Sequence, residues 1–453
     1  MEYGGRRNHA PGHWLGPAMP DNPASMKEEQ PPVPSRFRRL DWRRVVGPGL
    51  ITGASDDDPS GIGTYSQAGA QFGFGLGWTM ILTYPLMSSV QMISARIGRV
   101  TGHGLAGNVA RHYPSWLTLA IVMLLLIANT INIGADLGAM ADASMLVTGL
   151  PAGVFLVGFA AFCAVSEVVM RYTNYVRVLK WLTLALLAYV FTLMMVEVDW
   201  RLALTSLVVP DVRWTGDTYM MIVAIFGTTI SPYLFFWQAS QEAQEVAVAP
   251  DEEPLKCDPL EGRVELKRIG LDTMVGMAAS NLVALAIIFT TAATLNAEGM
   301  TDIKTSADAA AALRPLAGEY ASTIFALGIV GTGLLAVPVL AGSAAYALGE
   351  AMRWPTGLER KPKRAKAFYA TIIVATGIGA LMNFAPIDPI EALLVAAVIN
   401  GVVAVPVLAV MMLVSARSKV MGVFTVGGPL RWLGWLTTAM MAASVVAMAS
   451  TAL

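Results

Sequence analysis

Residues 53–63 read GASDDDPSGIG and place three consecutive aspartates, a proline and three glycines inside an otherwise apolar segment long enough to span a membrane. In a bilayer, an ionised carboxylate is tolerated only where it faces a water-filled cavity or a cation. Backbone that is not helical at that depth must be buried in protein or line a site. The stretch therefore predicts a cation site inside a membrane-spanning protein.

The composition of the whole chain supports this interpretation. The 453 residues are 55% hydrophobic and 14% charged, with a mean hydropathy of +0.57. Apolar runs longer than the ~20 residues needed to cross a bilayer recur along the chain, so we expect an all-α membrane protein. The two cysteines, Cys163 and Cys257, are too few for a disulfide framework, and we expect two free thiols.

The first 44 residues differ from the rest of the chain. They are rich in Pro, Gly and Asn and lack a continuous apolar core, so we expect residues 1–44 to be a disordered cytoplasmic tail. Residues 45–453 are then a single transmembrane domain. The tail ends in a basic cluster, which is more typical of a topology signal than of a nucleic-acid site. The cluster consists of Arg36, Arg38, Arg39, Arg43 and Arg44.

The apolar runs predict eleven spans. They begin near Val45, Gly77, Trp116, Gly153, Leu179, Tyr219, Leu271, Ala321, Ala367, Ile390 and Leu430. Basic residues concentrate in alternate loops. By the positive-inside rule, we expect these loops on the cytoplasmic side of the membrane. These loops hold Arg96, Arg99, Arg111, Arg171, Arg177, Lys180, Arg263, Lys267, Arg268, Arg353, Arg360, Lys361, Lys363, Arg364, Lys366, Arg417 and Lys419. We therefore expect a cytoplasmic N-terminus and an extracytoplasmic C-terminus in a plasma (inner) membrane.

The first and sixth spans are interrupted in the same way. We expect the first to break at Asp58, Pro59, Ser60 and Gly61, and the sixth at residues 227–232 (GTTISP). Five spans separate the two breaks, and an odd number of spans reverses the direction of the chain. Paired interrupted helices in matching positions are typical of transporters with inverted repeats, which bind substrate between the breaks.

Simpler explanations exist for each polar position. Pro and Gly also form ordinary kinks in membrane helices, which accounts equally well for the sixth span taken alone. A solvated loop is an alternative location for the aspartates, but the residues from there to Val90 carry no other charge. A lone acid such as Asp136 in the third span can simply bond a neighbouring helix. Glu167 is expected at a cytoplasmic helix end.

At the level of whole motifs, the first span GPGLITGASDDDPSGIGTYSQAGA resembles the natural-resistance-associated macrophage protein (Nramp) family of divalent-metal transporters. That family's first span carries GPG, then Asp-Pro-Gly-Asn, then Gln-Ala-Gly, and an Asp-Leu pair lies in its third span. The resemblance implies a LeuT-like fold of eleven transmembrane helices, with two inverted repeats of five and broken first and sixth helices. It also implies that Asp58 and groups of the sixth span hold the metal.

Two departures from the family pattern bear on the choice of metal. The family's asparagine falls on Gly61, and its sixth-span methionine falls on Ser231. A thioether is a soft ligand that favours Mn and Fe, whereas a hydroxyl has no such preference. Glycine leaves room for the water that Mg²⁺ retains. These changes resemble the Nramp-related magnesium transporter branch, so we expect Mg²⁺ as the leading substrate and Mn²⁺ beside it.

Proton coupling is also expected to be weak. Family members usually carry a sixth-span histidine and a third-span glutamate beside the third-span aspartate, and these positions hold Tyr233, Asn129 and Asp136. All four histidines lie in the tail or the second cytoplasmic stretch. We expect uncoupled transport into the cytoplasm, because an inside-negative potential of about 100 mV supplies roughly 4.6 kcal/mol for a divalent ion.

The expected site centres on Asp58, which supplies the charge. Neutral oxygens would come from carbonyls near Asp56, Gly227 and Thr228. The side chains of Ser231, Thr228 and Gln67 would hold the waters that the ion retains. Gly61, which has no side chain, would leave room for these waters. The side chains of Asp56 and Asp57 would line the vestibule or surround the ligands. Asn400 is a weaker candidate, with an ordinary interhelical hydrogen bond as its alternative. We expect no enzyme activity, no cofactor and no nucleic acid, and a monomer whose partners are its metal substrate and the lipid bilayer.

Other functions share some of these features. A conventional proton-coupled Mn²⁺/Fe²⁺ family member and a sodium-coupled amino-acid transporter of the same fold are the main alternatives. A metal sensor with little flux would carry the same site. An intramembrane aspartyl protease would need Tyr-Asp and Gly-x-Gly-Asp motifs, which the sequence lacks. The loop 246–268 is more typical of a solvated acidic loop than of a regulatory metal sensor.

Overall fold

A computed structural model describes residues 48–169, 182–248, 253–257, 259–385 and 387–452. Within these ranges the chain is helical, and no β-strand occurs in them. The predicted tail 1–44 with its basic cluster and the predicted start of the first span near Val45 lie outside the described residues. So do Arg171, Arg177 and Lys180, as well as Asp251, Glu252 and Asp258 of the acidic loop.

The described α-helices follow one another along the chain with short connections. They are α1 (Pro48–Asp56), α2 (Pro59–Phe72), α3 (Trp78–Thr101), α4 (Leu105–His112), α5 (Ser115–Thr148), α6 (Ala152–Val169), α7 (Leu187–Met195), α8 (Trp200–Ser206), α9 (Gly216–Thr229), α10 (Pro232–Val248), α11 (Gly262–Thr291), α12 (Ser306–Ala311), α13 (Arg314–Ala317), α14 (Ala321–Ala351), α15 (Lys366–Met382), α16 (Pro389–Ser415), α17 (Ser418–Met421) and α18 (Gly428–Ala452). A 3-10 turn, Leu182–Leu186, leads directly into α7.

Seven of the described helical segments are long and apolar enough to cross a membrane, which confirms a multi-pass membrane protein. They are Ser115–Thr148, Ala152–Val169, Gly216–Val248, Gly262–Asn296, Arg314–Ala351, Pro389–Ser415 and Gly428–Thr451. The other predicted spans coincide with α1 and α2, with α3, with α7 and its preceding turn, and with α15. The exact count of eleven stays a prediction.

The two predicted helix breaks are present and are narrower than the sequence suggested. Only Asp57 and Asp58 separate α1 from α2, and only Ile230 and Ser231 separate α9 from α10. Pro59 and Pro232 each begin the second half-helix, where the missing proline N–H costs no helical hydrogen bond. The expectation that Ser60 and Gly61, or residues 227–229, lie in unwound chain is therefore wrong, because a proline at a helix start permits the helix to continue.

Glycines bring the half-helices close to their neighbours. A Cβ atom on Gly53 of α1 would collide with the Gly276 backbone of α11. A Cβ on Gly227 of α9 would collide with the Ala397 carbonyl and the Gly401 backbone of α16. Helix backbones approach this closely in membranes when small residues occupy the contact. Each break is thereby held against a continuous helix.

The close approach of α9 and α16 predicts unequal effects of two matched substitutions. Gly227→Ala should lower the free energy of unfolding by about 1–3 kcal/mol, because the added methyl group overpacks the contact. Gly158→Ala in α6 should leave it unchanged or raise it by about 0.5–1 kcal/mol, since no atom lies within 4 Å of that Cβ position. Thermal unfolding of the two purified variants measures the difference, and equal midpoints would contradict the packing.

Candidate functional site

Asp58 lies in the break between α1 and α2 and caps the N-terminus of α2. Its Oδ1 atom accepts hydrogen bonds from the Gly61 amide and the Ser60 hydroxyl, both at 2.7 Å. A capping carboxylate satisfies backbone donors that a helix start leaves free, and the positive end of the helix favours its charge. The side chain is 1% exposed, so the sequence around the break fixes a charged group in the interior.

The second carboxylate oxygen of Asp58 faces two other helices. Asn132 of α5 donates its amide to Oδ2 at 3.1 Å, and the Tyr233 hydroxyl of α10 lies 3.3 Å from the same atom. Tyr233 also lies 3.0 Å from the Ser55 carbonyl, and its single proton serves one acceptor at a time. The hydrogen-bond partners of Asp58 are all neutral, so none of them balances its charge.

Asn132 was not among the predicted site residues, although it connects two that were. Its Oδ1 accepts from the Asn400 amide of α16 at 3.3 Å, so Asn400 reaches Asp58 through Asn132. The buried Oδ1 of Asn400 has no hydrogen-bond partner among the described residues. One signal in the sequence pointed to Asn132, because it lies on the same face of α5 as Asn129 and Asp136 at helical spacing.

The other two polar residues of this face of α5 behave differently. Asn129 donates to the Leu340 carbonyl at 2.9 Å and to the Ser343 hydroxyl at 2.7 Å, which ties α5 to α14. Asp136 is fully buried, and neither of its carboxylate oxygens has a hydrogen-bond partner in the described part of the chain. The interhelical hydrogen bond considered for Asp136 is therefore not formed there.

The second break contributes hydroxyl groups. Ser231 donates to the Gly227 carbonyl at 2.8 Å and lies 2.6 Å from the Thr228 carbonyl. The prediction that both carbonyls are free is wrong in this conformation, because the serine that replaces the expected methionine is itself a donor. The remaining lone pairs of both oxygens are still available for a ligand.

The two breaks face each other across Gly61 and Thr228. The Thr228 hydroxyl lies 3.5 Å from that of Ser60. A Cβ atom on Gly61 would lie 3.2 Å from the Thr228 Oγ1 atom and 3.5 Å from the Asp56 carbonyl oxygen. A side chain at position 61 would therefore crowd the contact between the two breaks. That Gly61 leaves room for a hydrated ion stays a prediction.

The three consecutive aspartates do not point to one place. Ser280 of α11 donates to Asp56 Oδ2 at 2.7 Å and lies 3.0 Å from Asp57 Oδ1. Asp58 has a separate set of partners in α5 and α10. Within the described ranges, no three His, Cys, Asp or Glu side chains converge on a single point. Asp56 and Asp57 therefore lie together at Ser280, whereas Asp58 lies apart from them at Asn132 and Tyr233.

Gln67 does not belong to this cluster, which corrects its predicted role. It follows Asp58 by nine residues along α2, a distance of roughly 13 Å at 1.5 Å per residue. Its amide nitrogen donates to the Thr301 carbonyl at 3.1 Å, and its amide oxygen accepts from the Ile303 amide at 2.9 Å. Gln67 thus fastens α2 to the segment that precedes α12.

Glu167 lies near a helix end, as expected, two residues before the described end of α6. Its side chain is only 6% exposed. Neither carboxylate oxygen has a hydrogen-bond partner among the described residues. That this end of α6 is cytoplasmic stays a prediction.

Ion pairs join the ends of α3, α10 and α11. Arg99 contacts Glu265 at 3.1 Å, and Arg268 contacts Glu242 at 2.9 Å and Glu265 at 2.9 Å. Arg99 and Glu242 are almost completely buried. Separating these helices would expose paired charges that now satisfy one another.

Comparisons with known proteins agree with this geometry. Residues 49–451 match the family described as natural resistance-associated macrophage protein-like. The chain is 28% identical over 439 residues to the divalent metal cation transporter MntH of Burkholderia ambifaria, an alignment that covers 92% of both chains. It is 27% identical over 306 residues to the MntH of Chromohalobacter salexigens, which covers 66% of this chain and 68% of the relative.

The fold is also shared with a solved structure. A crystal structure of the Eremococcus coleocola manganese transporter in complex with an aromatic bis-isothiourea substituted compound superposes with a TM-score of 0.68. The superposition covers 90% of this chain and 86% of the other, at 16% sequence identity. At that identity the likeness establishes the helical fold.

The contact between Asn132 and Asp58 predicts a selective loss of metal affinity. Asn132→Ala should weaken Mn²⁺ binding by about 10- to 100-fold, because a residue that orients a ligand carboxylate is lost. Asn129→Ala is the matched control, since this amide lies on the same helix and bonds α14 instead. Calorimetric titration of both purified variants measures the effect. Equal affinities for the two variants would contradict a role for Asn132 at the site.

Proposed function

Since the chain belongs to the Nramp family, a family of transporters and not of enzymes, we propose that it moves divalent metal cations across a membrane. Mg²⁺ is the leading substrate, with Mn²⁺ beside it, and the direction is into the cytoplasm. The observation that carries the proposal is Asp58, a buried carboxylate held between two helix breaks with only neutral partners. A divalent cation balances that charge.

The chemistry of the surrounding groups supports a hard cation. The atoms that hydrogen-bond Asp58 are oxygens and nitrogens, and so is the atom of Asn400 that hydrogen-bonds Asn132. Oxygen ligands suit Mg²⁺ and Mn²⁺. A site without a thioether contains no soft ligand that would favour Mn²⁺ over Mg²⁺. Ser231 and Thr228 offer hydroxyls, and the absence of a side chain at Gly61 keeps the approach to the Thr228 hydroxyl free of carbon atoms from position 61.

Alternating access explains why Asp58 is closed off from both sides. Towards one end of α2, Gln67 binds the segment at Thr301 and Ile303, and Asn296 donates to the Ala70 carbonyl at 2.7 Å. Towards the other side, ion pairs hold α3, α10 and α11 together. Passage of an ion requires each set of contacts to open in turn. The expected cytoplasmic N-terminus, inner-membrane location and monomeric state belong to this proposal.

Transport without protons follows from the residues beside Asp58. The phenol of Tyr233 stands where the family has a histidine and bonds Asp58 directly. The amide of Asn129, which stands where the family has a glutamate, is engaged with α14. An unperturbed phenol keeps its proton at neutral pH, and an amide does not titrate. The membrane potential then drives entry.

One observation favours a second candidate, a proton-coupled Mn²⁺ or Fe²⁺ transporter of the same family. Asp136 is buried, lies on the same helix face as Asn132, and has no hydrogen-bond partner among the described residues. A buried acid without partners is a suitable proton carrier. The two candidates differ in whether metal entry acidifies the interior.

Uptake into proteoliposomes separates these functions. We expect wild-type protein to admit Mg²⁺ and Mn²⁺ without internal acidification when a potassium gradient with valinomycin makes the interior negative. Asp58→Ala should abolish uptake, because the charge that offsets ion dehydration is lost. Ser231→Met should lower Mg²⁺ uptake relative to Mn²⁺, since a thioether favours the softer ion. Internal dyes for each ion and for pH measure the rates.

The exposed Asp217 at the start of α9 provides the matched control for this assay. Asp217→Asn should transport like the wild type. The proposal is contradicted if Mg²⁺ does not enter while Mn²⁺ enters together with protons, and a sodium requirement with amino-acid uptake would assign the chain to another class.

A further inference from the structure

Asp56 and Asp57 form an acidic group that is separate from the Asp58 cluster. Both side chains meet the Ser280 hydroxyl of α11, and they are 0% and 6% exposed. The contact follows from the packing of α1 on α11, in which Gly49 and Gly53 touch the backbone at Thr273 and Gly276. The next turn of each helix brings the aspartates against Ser280.

The hydrogen-bond donors at this position are too few for two carboxylates. A serine hydroxyl carries one proton, so Ser280 can donate to only one of the two carboxylate oxygens that it faces at 2.7 and 3.0 Å. The other oxygen of Asp56, Oδ1, is buried and has no hydrogen-bond partner in the described part of the chain. A fully buried carboxylate oxygen that faces no donor calls for a partner that the described residues do not supply.

No basic side chain of the contributing helices is available to supply that charge. Between Arg44 and Arg96 the sequence contains no Lys, Arg or His, and the same holds between Arg268 and Lys304. These two intervals include all of α1 and α2 and the part of α11 that follows Arg268. Asp56 is also the last residue of α1, where the negative end of the helix dipole favours a cation.

We propose that Asp56, Asp57 and Ser280 form a second divalent-cation position beside the transported ion at Asp58. The class of ion, Mg²⁺ or Mn²⁺, rests on the proposed function. The oxygens of these side chains lie 2.7 and 3.0 Å apart around Ser280. Neighbouring ligands of an octahedral ion with bonds of 2.0–2.1 Å are about 2.9 Å apart, so this spacing suits the edges of a Mg²⁺ coordination shell.

The charge balance also favours two ions over one. Asp58 lies within electrostatic range of Asp136 and also of Asp56 and Asp57, which in turn act on each other. In their ionised form the four carboxylates carry four negative charges, which two divalent cations neutralise. A single ion at Asp58 would leave Asp56 and Asp57 facing each other in the protein interior.

Counting bound Mn²⁺ tests the second position directly. The full-length protein in detergent micelles is dialysed against Mn²⁺, and the electron paramagnetic resonance signal of free Mn²⁺ gives the number bound. We expect two ions per wild-type chain, one in Asp57→Asn, one in Asp58→Ala, and none when both substitutions are combined. Asp217→Asn is the matched control and should bind two.

Ser280→Ala gives a second test that changes no charge. This variant should keep two ions but bind one of them about tenfold more weakly, because a neutral oxygen ligand is lost. Size-exclusion elution and circular dichroism establish that each variant is folded. If Asp57→Asn does not fold, the Ser280→Ala titration decides the question, and two unchanged affinities overturn the proposal.

The outcomes separate this inference from the proposed function. One ion in the wild type, retained in Asp57→Asn and lost in Asp58→Ala, overturns the second position and leaves the proposed function intact. Two ions that persist in Asp57→Asn overturn the second position as well. A wild-type chain that binds no Mn²⁺ contradicts the proposed function, and the inference fails with it.

Discussion

A buried carboxylate between two half-helices is the feature on which the rest of the structure depends. Removing the charge of Asp58 from water costs several kcal/mol or more, and neutral hydrogen bonds recover only part of that free energy. The capping contacts with Ser60 and Gly61, the amide of Asn132 and the hydroxyl of Tyr233 all serve this one group. In the proposed function, a cation of changing occupancy supplies the remainder.

Much of this arrangement could be predicted from the sequence, because it is encoded locally. Pro59 and Pro232 mark the starts of half-helices, and a carboxylate next to such a start has few alternatives to a capping role. The break at Asp58 was likewise expected from its neighbours, and Asp58 does cap the half-helix that follows it. These inferences needed only neighbours along the chain.

The errors arose where contacts cross between helices. Helical spacing places Asn132 on the same face of α5 as Asn129 and Asp136, but it does not identify Asp58 as the partner on another helix. Gln67 lies in a motif of the first span, yet its partners come from residues 301–303, more than 230 positions later. By contrast, the breaks were predicted too wide for a local reason, because Pro59 and Pro232 stand at helix starts and permit each half-helix to continue.

The replacement of a thioether by Ser231 has a structural consequence beyond ligand softness. The hydroxyl caps the carbonyls at the end of α9, so the break is stabilised even without an ion. A methionine cannot donate in this way. The serine therefore acts directly on the conformation of the sixth span.

The central claim is that the substrate ion binds between the two breaks on the Asp58 carboxylate. Anomalous scattering from a crystal of the Mn²⁺-loaded protein tests it most directly, because it locates manganese without assumptions about ligands. The account predicts a peak within about 2.0–2.2 Å of an Asp58 oxygen, the bond length of a hard divalent ion. A loaded crystal with no peak at Asp58, and manganese elsewhere, would contradict it.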